Sequence, residues 1–293
     1  MKIKDIIEIL RPINDIMGSL TVIIGILNTR TNISAYLVII NIILGVITYF
    51  FVASSGMVIN DIYDLEIDKI NRPERPIPSG RITIQQAKII FLTTYGIGVG
   101  LAIFHSFFFN IGFLNIILAV FFGFIGWVYA KWGKKSGFLG NMIVSISFSI
   151  GLIYGAILNN SIIPPYIYYF FITSFFLLLS REVIKGCEDI EGDKEQNVKT
   201  LAIRIGVKKS TIIAVVFSLT AIIFFILPYF TPIINPILFL ISMIFGLVDV
   251  GYAVLLMISS KLTKESFKKI SLLLKIGAFL GLIAFLLASI KIS

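Results

Sequence analysis

Cysteine occurs once in this 293-residue chain, as Cys187, and histidine once, as His105. One thiol cannot close an internal disulfide and cannot by itself make a metal site, which argues against redox and zinc chemistry. Cys187 reads as a small helical residue. Charge is scarce as well, at 14% of residues against 57% apolar. A water-soluble fold of that composition would expose more apolar surface than water tolerates, whereas lipid accepts helices that are hydrophobic all round. Collagen-like, disordered and disulfide-scaffold classes are excluded with it. No small-residue cleavage site precedes the first apolar run, so Met1–Leu10 reads as a short amphipathic helix at the membrane interface rather than a cleaved signal.

What the chain has in abundance is long apolar runs. A bilayer core of about 30 Å needs about 20 residues of helix, and nine stretches approach that: Ile13–Asn28, Tyr36–Ile59, Ala87–Phe109, Ile111–Ala130, Phe138–Leu158, Tyr166–Ile184, Thr211–Leu227, Ile237–Ile258 and Ile270–Ile290. The runs are continuous, without the alternation a membrane barrel would show. The fold expected is all-α and integral to the membrane, with about nine transmembrane helices in a single domain over residues 1–293.

The net charge of +9 invites a nucleic-acid reading, but its distribution answers otherwise. Lys2, Lys4 and Arg11 precede span one, and Lys69, Arg72, Arg75, Arg81 and Lys88 surround the second connection. Lys131, Lys134 and Lys135 lie in the fourth, and further lysines and arginines flank the sixth and eighth. Arg30 and Lys291 fall on the other face. Under the positive-inside rule the N-terminus and the even-numbered connections are cytoplasmic, in a multi-pass protein of the cell membrane that contacts membrane lipid and no nucleic acid.

The acidic residues gather on the same side, which that rule does not require. Span two runs into Asn60-Asp61-Ile62-Tyr63-Asp64-Leu65-Glu66-Ile67-Asp68. If the helix continues, Asn60, Asp64 and Asp68 repeat every fourth residue and share a stripe with Asp61, while Glu66 points away. Like charges at this spacing ask for a cation. A solvated helix end, its carboxylates paired to Lys69, Arg72 and Arg75, is the plainer alternative. Span six, however, ends in a second cluster, with Asp189 and Asp193 again four apart. Two like clusters four spans apart suggest a duplicated unit whose sites face each other across a pseudo-twofold axis. Clustered carboxylates without histidine or cysteine are hard oxygen ligands, and with a phosphate-bearing substrate they suit Mg²⁺. Arg72, Arg75, Arg81, Lys131, Lys134, Lys135, Lys185 and Lys194 supply positive charge enough to hold a diphosphate, about half of them being expected to touch ligand. The segment Asn71–Arg81, stiffened by three prolines, is placed to act as a lid.

The segment NDIYDLEIDKINRPERPIPSG together with the later DIEGD resembles the paired aspartate motifs of the UbiA superfamily of intramembrane prenyltransferases, over essentially the whole chain. The resemblance implies nine helices around a central cavity. It implies that Asn60, Asp64, Asp68, Asp189 and Asp193 hold a Mg²⁺-bound prenyl diphosphate whose tail lies among the helices. Asn14 in RPINDIMGSLTVIIG, and Tyr129, Lys131, Lys134 and Asn141 in YAKWGKKSGFLGN, become substrate contacts beside Asp61, Arg72, Arg75 and Lys185. Those two segments are most similar to the branch that moves a geranylgeranyl group onto the hydroxyl of an isoprenoid glyceryl phosphate acceptor, in archaeal ether-lipid synthesis. Gly140-Asn141 stands where the hydroxybenzoate branch carries Pro-Gln. The menaquinone branch also uses Gly-Asn, so an aromatic acceptor remains the near rival. A phosphoalcohol transferase is disfavoured by the missing DGxxAR-type signature, and a cation transporter by carboxylates at one face rather than at the midplane.

Three further features stand apart. Asp249, inside span eight, is placed to meet Tyr252 on one helix face, with protonation or a bond to a neighbouring helix as the plainer alternative. His105 reads as interfacial. The phenylalanines, including Phe107–Phe109, Phe121–Phe122 and Phe170–Phe171, read as lipid-facing or packing residues, a few of them lining a cavity.

Overall fold

The computed structural model describes residues 2–133, 136–159, 162–195 and 198–291, with the side chains of residues 13, 14, 71, 192 and 195 excepted. Among the described residues every regular element is helical. Eight helices are long and apolar enough to cross a membrane: α3 (Ala35–Tyr63), α5 (Ile84–Phe108), α6 (Phe113–Val128) with a π-helical turn to Gly133, α7 (Phe138–Ile157), α8 (Pro165–Glu188), α11 (Val207–Ile226) with a 3₁₀ turn to Phe230, α12 (Pro236–Ser259) and α13 (Lys264–Leu287). The expected first span is α2 (Pro12–Asn28), preceded by the expected short helix as α1 (Ile3–Leu10), and the bent pair counts as the ninth span when taken together. Arg11 between them has a left-handed φ of 50°, and Pro12 starts α2 where its missing N–H costs nothing. The pair is bent by 59°. The amphipathic reading of the N-terminus holds in α1, which buries Asp5 and Ile9 and exposes Ile3 and Ile7.

The neighbour relations repeat. In the first half α2 packs on α3, α3 on α5 and α5 on α6; in the second α7 packs on α8, α8 on α11 and α11 on α12. The equivalent helices α2 and α7 pack directly on each other, and α13 fills the ninth place against α8, α12 and α2. The α2–α7 contact is backbone to backbone. A Cβ at Gly25 would stand 2.2 Å from the Leu152 carbonyl oxygen, and one at Gly155 would stand 2.1 Å from that of Val22. Only glycine allows helices this close, and in lipid, where apolar surfaces gain nothing by meeting, such approach supplies the dispersion contact that holds helices together.

The halves differ in what fills them. Phe170, Phe225, Phe239 and Phe285 pack into a buried cluster in the second half, with the Phe170 and Phe285 ring centroids 3.9 Å apart. Phe107, Phe108 and Phe121 lie at the exposed surface as expected for lipid-facing rings. At the end opposite the aspartates a buried polar network ties the first half to α7. Tyr154 donates to Asn115 Oδ1 (2.9 Å), and the Asn115 amide donates to the Ala102 carbonyl (3.0 Å). The Asn41 amide donates to the Leu158 carbonyl (2.8 Å), and the Asn159 amide to that of Ile26 (2.9 Å).

Two placements depart from the sequence reading. His105 is not interfacial: it is fully buried, its Nε2 2.9 Å from Asn41 Oδ1, because a buried amide on α3 gives the ring a polar partner. Asp249 does not pair with Tyr252. Its carboxylate lies against Gly277 of α13, while the Tyr252 hydroxyl turns to Lys269 Nζ at 3.3 Å.

Candidate active site

The long helix α3 ends at Tyr63, and the short helix α4 (Leu65–Asn71) starts after Asp64, which caps the first helix and opens the second. The i to i+4 hydrogen bonds run straight through this joint: Asp64 N to Asn60 O, Asp68 N to Asp64 O and Arg72 N to Asp68 O. The stripe of Asn60, Asp64 and Asp68 is therefore real, and the expected continuity of the helix is nearly so. Asp61, Asp64 and Asp68 are all buried, whereas Glu66 points to solvent and pairs with Lys69 at 2.8 Å.

The second cluster repeats the construction. Asp189 caps the end of α8, and the short helix α9 (Ile190–Glu195) follows it at once, ahead of α10 (Leu201–Ile205), with Asp193 N bonded to Asp189 O. In the register Asn60, Asp64, Asp68 the counterparts are Lys185, Asp189 and Asp193. The environments differ: Lys185 and Asp189 are exposed and Asp193 is half-buried. Burial, and the neighbouring Asp189 charge, push the Asp193 carboxyl above its usual range against the opposing pull of Lys185. The two clusters do not close into one cage, since among the described residues no three acidic, histidine or cysteine side chains converge on a point.

Cations bind the first cluster together. Arg11 is ion-paired to Asp61, and Arg75 reaches back from the Asn71–Arg81 segment to Asp68 (2.5 Å) and Asp61 (3.4 Å). The segment is thus tied to the carboxylates, and Ile77 and Ile82 bury it against Ile9, Val58, Ala87 and Ile90. Arg81 does not join the site: it pairs with Asp5 and Glu8 of α1 (2.8 and 2.7 Å) because α1 folds back over this segment. Arg72 is exposed. Lys131 lies over the rings of Trp127 and Trp132, 5.0 and 4.4 Å from their centroids. Asn141 sits in the first turn of α7, which Gly137 starts at φ 67° with its Cα hard against the Lys199 carbonyl. Lys134 and Lys135, and the side chain of Asn14, lie outside the described residues.

From this end a cavity of about 510 Å³ runs into the first half between α2, α3, α6 and α7. Arg11, Asn60 and Tyr129 stand among its lining residues with apolar walls from Val52, Leu118, Phe122 and Phe148, and Tyr154 lines it where the polar network begins. Tyr129, at the start of the π-helical turn, stands within the fields of both Asp64 and Glu182 of α8, so it lies between the halves. Asn60 belongs to cavity and cluster alike. Its amide nitrogen donates to Asp64 Oδ2 at 2.8 Å, while its buried Oδ1 has no partner among the described residues. A buried amide oxygen left without a donor is costly; beside carboxylates it is the ligand a hard cation takes. The residues present fit Mg²⁺, which needs one or two carboxylates per ion and takes its other ligands from phosphate and water.

Sequence reasoning missed Arg11 and Asp15 as lining residues. Asp15 is 2% exposed, one helical turn beyond Arg11, and Ser54 Oγ donates to its Oδ2 at 2.5 Å. Both stand some 45 residues from the motif they face, and a basic residue before a span, or an acid in a helix's first turn, has an ordinary explanation.

A model of the UbiA prenyltransferase family matches residues 19–274 of the chain. A digeranylgeranylglyceryl phosphate synthase from Saccharolobus solfataricus is 38% identical over 297 residues, which cover 99% of this chain and 98% of the relative. A solved structure of a digeranylgeranylglyceryl phosphate synthase is 33% identical and superimposes with a TM-score of 0.84 over 99% of both chains. A UbiA homologue from Archaeoglobus fulgidus, solved with DMAPP and Mg²⁺, shares the fold (TM-score 0.70, 16% identity, 95% of this chain and 99% of that one).

Proposed function

The chain belongs to the UbiA prenyltransferase family, and from that premise we propose that it moves a geranylgeranyl group from geranylgeranyl diphosphate to the free hydroxyl of geranylgeranylglyceryl phosphate, with Mg²⁺. The observation that carries the reading is the position of Asn60, which joins an acidic, arginine-bridged site to an apolar cavity. A diphosphate with a long hydrocarbon tail matches that junction end for end. The acceptor is taken from full-length relatives that bear the synthase name.

In this reading Asn60, Asp64 and Asp68, with Asp189 and Asp193, hold the cation. Bound there, Mg²⁺ supplies Lewis-acid neutralisation of the charge that builds on the departing diphosphate. Arg72, Arg75 and Lys185 bind its oxygens, and Asp61 keeps Arg11 and Arg75 aimed at the mouth. Tyr129 closes the site from the side of the second half. The walls of Val52, Leu118 and Phe122 take the tail and exclude water, so that the allylic cation left by C–O cleavage meets the acceptor oxygen rather than solvent. In the same reading Asn14, Lys131, Lys134 and Asn141 serve the acceptor. The basic connections, by the positive-inside rule, support a site at the cytoplasmic face of the cell membrane.

The test is turnover by purified protein given radiolabelled geranylgeranyl diphosphate and a panel of acceptors, with and without Mg²⁺. Labelled digeranylgeranylglyceryl phosphate is expected, and only with the metal. Label passing to an aromatic acceptor, with none on the glyceryl phosphate, would replace the reading.

A further inference from the structure

The motifs account for the leaving group, but no residue assigned above takes the proton that the acceptor must lose. We propose that Asp15 is the general base of the transfer, with Ser54 holding it in place. This rests on the acceptor being a hydroxyl compound, as argued above. Asp15 is nine-tenths and more buried yet stands among the residues that line the cavity, the space in which the substrates would meet. Ser54 Oγ donates to Oδ2 at 2.5 Å, and among the described residues no donor is paired with Oδ1. One oxygen is thereby fixed, and the other is open to accept a proton.

Its depth suits the task. Arg11, one turn earlier and just before α2, is bonded to Asp61 at the level of the aspartate stripe. Ser54 lies six residues before Asn60 on α3, which at 1.5 Å per residue puts the Asp15–Ser54 pair about 9 Å further into the cavity. A diphosphate held at the stripe by its oxygens presents its first tail carbon inward, toward that level. The other ionisable groups lining the cavity are Arg11, Tyr49, Tyr129 and Tyr154. Arg11 has no acceptor capacity, and a neutral phenol is a far weaker base than a carboxylate.

The step balances without a further reactant. The bond from C1 of the prenyl group to the diphosphate oxygen breaks and its electron pair leaves with the diphosphate; the acceptor oxygen then bonds to C1, and the hydroxyl proton passes to Asp15 Oδ1. Without a base the acceptor oxygen would carry a positive charge in an apolar cavity, which is the cost the carboxylate removes.

The experiment measures two quantities on the full-length protein in detergent or bilayer discs: kcat for transfer to geranylgeranylglyceryl phosphate, and Mg²⁺-dependent binding of the non-reacting analogue geranylgeranyl thiodiphosphate. Asp15→Asn keeps size and a partner for Ser54, so analogue binding should stay within about twofold of wild type while kcat falls by about 100-fold or more, the scale of general-base catalysis. Asp15→Glu should recover at least about tenfold of that loss, because it restores a carboxylate. Asp15→Asn with near-normal kcat, loss of analogue binding in parallel with kcat, or a Glu variant no better than the Asn variant would each overturn the assignment. If wild-type protein transferred nothing to the glyceryl phosphate, the functional reading itself would fail, an outcome separate from any of these.

Discussion

Replacing Gly155 by alanine adds one methyl group where α7 meets α2, and the structure fixes what that group meets. Its Cβ would lie 2.1 Å from the Val22 carbonyl oxygen, with Ile26 N at 3.0 Å. A carbon and a carbonyl oxygen rest at about 3.3 Å or more, so the contact is short by about 1.2 Å. No side-chain rotamer relieves it, because both partners are backbone. The helices must part by about 1 Å, which forfeits a quarter to a half of the dispersion attraction along their contact. We expect a loss near the top of the range of about 1–3 kcal/mol typical of overpacking. Parting also separates Asp15 and Gly18 on α2 from Ser147 and Phe148 on α7, the facing walls of the cavity, and a displacement of about 1 Å in a reacting geometry can cost about 100-fold in rate. The assay is thermal unfolding in detergent beside turnover, with Gly100→Ala as control. Gly100 lies in α5, where an added Cβ meets nothing within 4 Å. There the same substitution should be neutral or stabilise by up to about 1 kcal/mol, since alanine is the better helix former. If Gly155→Ala melted with Gly100→Ala and turned over normally, the backbone contact between α2 and α7 would be wrong.

Asp64→Ala and Asp189→Ala should each abolish Mg²⁺-dependent turnover while the protein still expresses and elutes as wild type; near-normal activity in either would sink the two-cluster site. A 2-fluoro prenyl diphosphate, whose cation is destabilised, should react far more slowly than the natural donor, and an unchanged single-turnover rate would point to direct displacement. Lys131→Gln, which removes the cation from between Trp127 and Trp132, should raise KM for the glyceryl phosphate by about 10-fold, one charge-assisted contact, with little change for the prenyl diphosphate. Equal effects on both substrates would assign Lys131 to the diphosphate, and no effect would leave it as a surface anchor.

The spans were readable because apolar runs in lipid are long and unbroken, and the aspartate stripe because a spacing of four survives any gentle bend of a helix. The angle at Arg11 was hidden, since the sequence separates Met1–Leu10 from the run at Ile13–Asn28 but only the backbone reveals the 59° bend between them. Residues whose role depends on a distant partner were equally hidden. His105 gave no sign of Asn41, which lies 64 positions earlier, and Asp249 gave none of Gly277. Arg81 looked like one more phosphate ligand until the fold set Asp5 and Glu8 beside it. In each case local spacing is silent, and the partner is supplied by the packing of another helix.

The network beyond Tyr154 has a consequence for the membrane as an insulator. A charged pocket sunk into a bilayer is half of a pore, and only its closed end separates it from one. Here that end is made of amides whose hydrogens are committed to backbone carbonyls, from Asn41 to Leu158, from Asn115 to Ala102 and from Asn159 to Ile26. Such a floor turns its polar groups toward one another and toward the backbone rather than toward solvent, with Tyr154 on Asn115 and His105 on Asn41. The bilayer can thus carry an ionic reaction within its thickness and still hold its voltage.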